Sequence, residues 1–410
     1  MWSRKRIDIR WSDLGFGLMQ TLRNGDRSSA ALEAEASMGL GKFTIACLSV
    51  RSGFDLLLTE LNLPAGCEVL MSAVTIRDMS RIVEKHGLVP VPLDLDPSTM
   101  SPSAETVRRA ITPKTRAIVV AHLFGTILDL DAIAAICTEH NILFIEDCAQ
   151  AFDGLRYTGH SAADVVMFSF GPIKTATALA GGLLVVRDAA LLRRMRMTQK
   201  VWPFQSPSEF RARVRTFSLL KMVSGRFAFS CLVRVLGWLG KDLDATLNGT
   251  IRNFPVDRFF DSLRRQPSYA LLKLIARRIS TFDVARQDRR SHIGRMLATS
   301  IQQYQTADSN DTLQPFVPSA CVPRHTWWVF PLCSTEAAAV IATLRSAGFD
   351  ATQGSQLQPI ATPAGFQQHH PALATSVVNT MLFLPLYPEL TDFAVNQLSI
   401  AIASSGRSAR

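Results

Sequence analysis

From about Ala46 to Asp188, apolar runs alternate with stretches of helical periodicity at the spacing of βα units. No other feature limits the fold of this chain so strongly. Strands buried on both faces need helices above and below them, which is the arrangement of a largely parallel, helix-covered sheet. The expected strands are Glu68 to Met71, Val89 to Leu93, Ala117 to Ala121, Ile142 to Ile145, Val165 to Phe170 and Leu183 to Val186. Between them, Asp129 to Glu139 has apolar residues at helical spacing, and a helix over Ser103 to Ala110 is introduced by a capping-type signal in Ser101 to Glu105. Further on, Gln266 to Ile293 reads as helical, Thr306 to Thr312 as a loop, Trp327 to Ile400 as a smaller α/β unit and Ser404 to Arg410 as a frayed tail. The fold class is therefore α/β.

A chain of 410 residues, 47% hydrophobic, has room for two or three domains with a sizeable core. The 44 Lys and Arg outnumber the 34 Asp and Glu, a surplus that suits phosphates, nucleic acid or an anionic membrane face. Much of it falls in Leu191 to Lys241, where Arg211, Arg213, Arg215, Lys221, Arg226 and Arg234 are interleaved with Phe, Leu, Val and Trp. Charges interrupt this stretch too often for a membrane span. It is expected either to lie on a bilayer, as a peripheral contact through 202–241, or to pack inward as an ordinary subdomain. Nucleic acid is disfavoured, because the basic residues alternate with large apolar ones and no reader motif accompanies them. The seven cysteines show no CxxC pair and no disulfide spacing, which suits reduced, buried thiols in a cytoplasmic protein and suggests no metal site. The basic start, Met1 to Ser12, is not followed by the apolar run of a signal peptide.

Three features could converge where the strands of a parallel sheet end. The first is a Gly-containing turn opening a helix, Ser52-Gly53-Phe54-Asp55; the second an acid closing a strand, Glu146-Asp147; the third a lysine after the next strand, in Ser169-Phe170-Gly171-Pro172-Ile173-Lys174. A helix amino terminus with a glycine attracts phosphate, and Ser169 adds a hydroxyl. A carboxylate such as Asp147 keeps a pyridine nitrogen protonated, and a lysine amine can condense with an aldehyde and then carry a proton. The set suits a phosphorylated aldehyde cofactor. Each member alone is more often structural: a turn glycine, a capping acid, a solvated lysine.

From about Ser49 to Asp188 the chain resembles the DegT/DnrJ/EryC1/StrS family of pyridoxal-phosphate-dependent sugar aminotransferases. Ser52-Gly53-Phe54-Asp55 is similar to the SGTDAL motif, Pro113 to Ile118 to TPKTKAI, and His122-Leu123-Phe124-Gly125 to HLYG. Glu146-Asp147-Cys148-Ala149-Gln150-Ala151 resembles EDAAQA, Phe168 to Lys174 resembles FSFxPxK, and Leu384 to Pro388 matches LPLYP. The resemblance implies fold type I, the aspartate-aminotransferase fold. Its large domain has a mostly parallel seven-stranded sheet flanked by helices, and a smaller C-terminal α/β domain follows. The expected divisions are a cofactor domain over 1–195, a basic and apolar insert over 196–260, a helical return to the large domain over 261–300, and the small domain over 301–410.

By the same resemblance the cofactor is pyridoxal 5′-phosphate, with Lys174 as the Schiff-base lysine and Asp147 on the ring nitrogen. Gln150 would lie near the ring and its O3′, Ser169 with Ser52, Gly53 and the Phe54 N–H would hold the phosphate, and Ile76 would pack on the ring. It further implies transamination rather than dehydration, small-molecule substrates with glutamate as donor and a nucleotide-linked keto-sugar as acceptor, and a homodimer. Three departures stand out: Phe54 replaces a threonine, Ile76 replaces a stacking aromatic, and the GxNxRM segment is reduced to Arg265-Gln266-Pro267 with Leu263 where its asparagine would be. A lipid-linked acceptor, a different reaction such as elimination or aldol-type cleavage, and a non-catalytic scaffold stay open as alternatives. His122, His160 and His325 are expected to be hydrogen-bonded structural residues, since none is spaced as a metal pair.

Overall fold

The structure, a computed structural model, describes residues 1–4, 6–238, 258–306, 315–353 and 356–405. Most of the Thr306 to Thr312 stretch, the end of the basic segment at Lys241, and the tail beyond 405 lie outside the described residues.

The apolar runs form a seven-stranded sheet in the order β1-β8-β7-β6-β5-β2-β4. Its strands are β1 (Thr44–Cys47), β2 (Glu68–Ser72), β4 (Val89–Leu93), β5 (Thr115–Ala121), β6 (Leu143–Asp147), β7 (Val165–Ser169) and β8 (Gly182–Val186). The pairs β2/β4, β2/β5, β5/β6 and β6/β7 are parallel, while β8 runs antiparallel to both β7 and β1. Alternate residues feed two separate cores. Leu70, Ile118, Val120, Phe144, Val166 and Phe168 face one side, and Val69, Ala117, Val119, Ile145, Val165 and Met167 face the other. This period of two with both faces covered is what the near-continuous apolar runs encode.

Helix starts differ in places from the expected ones. The helix Ala104–Ala110 is capped by Ser103, whose side chain accepts the Thr106 N–H at 3.0 Å, so the Ser101 to Glu105 signal is not its cap. The helical stretch expected from Gln266 is two helices, Tyr269–Ser280 and Val284–Thr306.

The smaller unit is built on a two-stranded antiparallel ribbon of β9 (Phe330–Cys333) and β11 (Met381–Leu384). Its core draws Ile293, Leu297, Ala298 and Ile301 from the Val284–Thr306 helix, so this core begins before residue 301. The amino terminus also belongs here: Trp2 N–H donates to Gly348 O at 2.8 Å, and Arg4 is paired with Asp350. The two units are stitched together by β10 (Leu357–Pro359) on β3 (Val74–Ile76), and by Asp94, whose carboxylate caps the Ala372–Thr380 helix through the N–H groups of Leu373 and Ala374.

The basic segment is two helices, Pro207–Val223 and Arg226–Trp238, as far as it is described. The first buries Phe210, Val214 and Phe217. Arg211 donates to Thr21 Oγ1 and O at 3.0 and 2.9 Å, and Arg213 donates to Leu179 O at 2.5 Å. These two arginines thus serve the interior. Among the described residues no helix is long and apolar enough to cross a membrane. Five cysteines are buried, but Cys231 and Cys321 are exposed, contrary to the expectation of uniformly buried thiols.

Candidate active site

Strands β5, β6 and β7 end side by side at Ala121, Asp147 and Ser169, so the loops that follow share one edge of the sheet. Lys174 lies in the loop between β7 and β8. That loop is held by Phe170 N–H on Gly181 O at 3.0 Å, Ala178 N–H on Phe170 O at 2.9 Å and Lys174 N–H on Gly171 O at 3.1 Å. Burial pushes the Lys174 amine down to about 8, Asp147 opposing and Arg51 adding to the shift. Its Nζ sits 4.0 Å from the centre of the Trp328 ring. The Trp328 indole N–H donates to Ile173 O at 2.7 Å, which fixes the ring over the lysine.

Asp147 closes β6 and accepts the Ala149 N–H at 2.9 Å. Burial pushes its carboxyl above the ordinary range, although the Ala149 N–H, Lys174 and His122 all favour the anion. Such a carboxylate gains from a cationic N–H brought against it. Gln150 uses its Oε1 to accept the Phe124 N–H at 2.7 Å, so its amide NH2 is the end left to donate to a ligand. Phe124 is held there with φ 59°, in the left-handed region.

The expected phosphate turn is displaced by three residues. The helix Val50–Leu61 is capped by Ser49, whose hydroxyl accepts the Ser52 N–H at 3.1 Å. Gly53 N–H is spent on Ser49 O at 3.1 Å, Ser52 is fully buried beside Ser49, and Phe54 is a fully buried core residue. Ser52, Gly53 and Phe54 therefore do not form the open end of the helix. Gly53 is needed for packing, since a Cβ there would lie 2.3 Å from Leu184 Cδ1. The N–H groups with no carbonyl one turn back are those of Val50 and Arg51. They meet Ser169 through β8: Gly182 pairs with Ser169, and a Cβ on Gly182 would lie 2.6 Å from Val50 N. Arg51 itself is ion-paired with Asp78. Ile76 is half-buried at the end of β3, directly before the helix Arg77–Lys85 that carries Asp78.

Behind Asp147 lies a buried polar network. Glu146 Oε1 accepts from His122 Nε2 at 2.6 Å, from Cys148 Sγ at 3.3 Å and from the Tyr157 hydroxyl, while Oε2 accepts the His160 N–H at 2.7 Å. His122 Nδ1 accepts the Leu128 N–H at 3.0 Å, which assigns the proton to Nε2. Burial alone would raise the Glu146 carboxyl, but the bonds from His122, Tyr157 and His160 outweigh it and hold it at about 2. The ligand atoms of His122, Glu146 and Cys148 lie within 4.8 Å of one another, as in a metal site. Their hydrogen bonds already satisfy the trio, which acts as the rigid backing of Asp147. His160 donates to Asp131 and His325 to Ser319, so both are structural, and burial pushes His325 down to about 3.

The donor set suits pyridoxal phosphate: an amine of depressed basicity, a half-buried carboxyl that gains from a pyridinium, a side-chain amide, and a helix end with a hydroxyl and an arginine for a phosphate. Ser49, Arg51 and Trp328 are site members that the motifs did not mark. The Ser49-x-x-Ser52 spacing before Phe54 to Leu58 was a legible cap signal. No local pattern marks Trp328, which reaches Lys174 because Thr326 N–H docks on Gly125 O at 2.7 Å.

Comparisons with known proteins agree with this geometry. Residues 19–205 match the DegT/DnrJ/EryC1/StrS aminotransferase family. A stretch of 154 residues is 40% identical to the L-glutamine:2-deoxy-scyllo-inosose aminotransferase of Micromonospora echinospora. It covers 36% of this chain and 36% of that relative, so the match spans about a third of the relative's length. Among solved structures, an aminotransferase from Psychrobacter cryohalolentis is similar with a TM-score of 0.69 at 18% identity, 98% of each chain being covered. The aminotransferase TlmJ from Streptoalloteichus hindustanus gives 0.67 at 19% identity over 98% of both chains. NtdA from Bacillus subtilis, with bound cofactor PMP, gives 0.65 at 20% identity, covering 97% of this chain and 83% of that one. At these identities the solved structures establish a shared fold.

Proposed function

We propose that this chain, whose residues 19–205 match the DegT/DnrJ/EryC1/StrS aminotransferase family, is a pyridoxal-phosphate-dependent aminotransferase that moves an amino group from an amino acid, glutamate in the first instance, to a keto-sugar. The observation that carries this reading is the juxtaposition of two half-buried groups, the amine of Lys174 and the carboxyl of Asp147, at the edge of the sheet where the helix Val50–Leu61 also begins. Bound pyridoxal phosphate supplies an aldehyde for the amine and a ring that takes up the electrons released when the α proton leaves. With the cofactor bound, Asp147 would keep the ring nitrogen protonated, and the Gln150 amide, its Oε1 already taken by the Phe124 N–H, would donate to the ring. The Val50 and Arg51 N–H groups with Ser169 bind phosphate. Lys174 Nζ, held 4.0 Å from the Trp328 ring, would take the α proton of the amino donor and return it to the acceptor carbon.

Exposing the loaded protein to glutamate without an acceptor tests this. The visible band of the lysine-bound cofactor should bleach, one equivalent of 2-oxoglutarate should appear, and a keto acid should restore the band. Release of a β-leaving group or an aldehyde instead would favour an elimination or an aldol-type cleavage. Absence of any band would favour the scaffold reading.

The basic helices bound the choice of acceptor. Leu219, Met222, Phe227 and Trp238 are 61, 57, 84 and 87% exposed, an apolar display that suits a lipid-linked keto-sugar at a membrane surface. Arg211 and Arg213 are not part of that display. Replacing Phe227 and Trp238 together with serine should weaken binding to anionic liposomes at low salt about tenfold. Wild-type protein that ignores such liposomes would remove this part of the reading and leave a soluble, nucleotide-linked acceptor. A homodimer with the cofactor between subunits is the assembly that the family resemblance implies.

A further inference from the structure

Arg213 belongs to the Pro207–Val223 helix, inside the segment that the family motifs do not cover. Its side chain turns away from the exposed face of that helix, and its Nε donates to Leu179 O at 2.5 Å. Leu179 opens the short turn into β8. Two residues on, Gly181 N–H donates to Leu48 O at 2.9 Å and Gly181 O accepts the Phe170 N–H at 3.0 Å. The next residue is Gly182, which abuts Val50 N and pairs with Ser169. Arg213 is thus anchored to the turn that joins the amino end of the Val50–Leu61 helix to Ser169 and the lysine loop.

Charge points the same way. The positive charge of Arg51 bears on Lys174 and on Arg213, and burial with Arg51 pushes Arg213 down to about 10. Arg51 therefore stands as a like charge to both Lys174 and Arg213 beside a helix amino terminus, an arrangement that a doubly charged anion among them would relieve. Among the described residues, Asp78 is paired with Arg51, and Asp147 stands against Lys174.

We propose that Arg213 is a phosphate ligand, binding the cofactor's phosphate together with the Val50 and Arg51 N–H groups and the Ser169 hydroxyl, so that the basic segment completes the cofactor site within the same chain. This rests on the reading of the site as one for pyridoxal phosphate. It gives an inward role to a residue whose surroundings in the sequence suggest a surface function.

The test compares pyridoxal phosphate with pyridoxal, which lacks the phosphate, on full-length protein freed of cofactor. In Arg213→Gln, which keeps a donor for Leu179 O, affinity for pyridoxal phosphate should fall roughly 10- to 100-fold while affinity for pyridoxal stays within about twofold. Inorganic phosphate, a competitor in the wild type, should lose potency in parallel. Arg215→Gln, an exposed neighbour, should match the wild type. Equal affinity of Arg213→Gln and wild type for pyridoxal phosphate, or equal losses for the two ligands in a variant with an unchanged circular dichroism spectrum, overturns the proposal. If Arg213→Gln does not fold, the same ratio is read on Arg213→Lys: a smaller loss selective for pyridoxal phosphate supports the role, and an unchanged ratio rejects it. A wild type that forms no Lys174-dependent visible band would mean instead that the cofactor reading itself is wrong.

Discussion

Lys174→Ala leaves no covalently held cofactor and lowers transamination on the order of 10⁴-fold or more, because one amine serves first as nucleophile and then as proton carrier. The wild type should show a matching pH signature. Only the neutral amine condenses with an aldehyde, and with its basicity held at about 8 roughly one lysine in a hundred is neutral at pH 6 and half are at pH 8. Loading of cofactor-free protein should therefore quicken about tenfold per pH unit from 6 to 7 and level off above 8. Rapid-mixing absorbance measures this directly. A band of wild-type intensity in Lys174→Ala, or a loading rate that is flat across that range, would assign the chemistry to some other group.

Glu146→Gln is the second large effect, and it is one of stability. The carboxylate accepts four hydrogen bonds in a buried site, three of them from His122, Tyr157 and the His160 N–H. A glutamine would turn an NH2 toward groups that are donors themselves, stranding at least one of them. A carboxyl held at about 2 against an ordinary 4.5 corresponds to about 3 kcal/mol of stability. That agrees with the 3–5 kcal/mol typical of breaking a buried pair, and for a chain of 410 residues suggests a melting temperature lower by roughly 4 °C. The sign for pH follows from the depressed value: the contribution is complete above about pH 4.5 and is lost as pH falls through about 2. Acid denaturation should begin at higher pH for a destabilised protein, yet the variant's own stability should vary less across that window. Thermal melts of the two proteins from pH 7 to 3 measure both effects, and a variant that melts with the wild type at pH 7 would show that the network is not stabilising.

The central sheet was legible because its strands are buried on both faces and so announce themselves as apolar runs. Val89 to Leu93 was placed to the residue, and the other five expected strands within two residues at either end. β1 was missed: Thr44–Cys47 is a four-residue edge strand, too short to stand out from the cap and helix that follow it. At the site, Asp147, Gln150, Ser169 and Lys174 could be found because each directly follows or ends a recognisable strand. The helix opens three residues before Ser52-Gly53-Phe54, and Gly53, which reads as a backbone-approach glycine, instead makes room for Leu184. Arg51 follows from the Ser49 cap, which local spacing carries, whereas Trp328 arrives by a tertiary route over the lysine loop that leaves no trace in local spacing.

One reversal in the sheet has a consequence for how turnover can proceed. The lysine loop does not cross a face of the sheet but doubles back between two adjacent, oppositely directed strands, and it is pinned at both feet. Such a bracket offers little backbone travel, so the reach of Lys174 is set by its own four-carbon arm. Any opening to admit a bulky acceptor then falls to the other wall, the stretch around Trp328 carried by the smaller unit, and it is there that exchange of substrate and product would be timed.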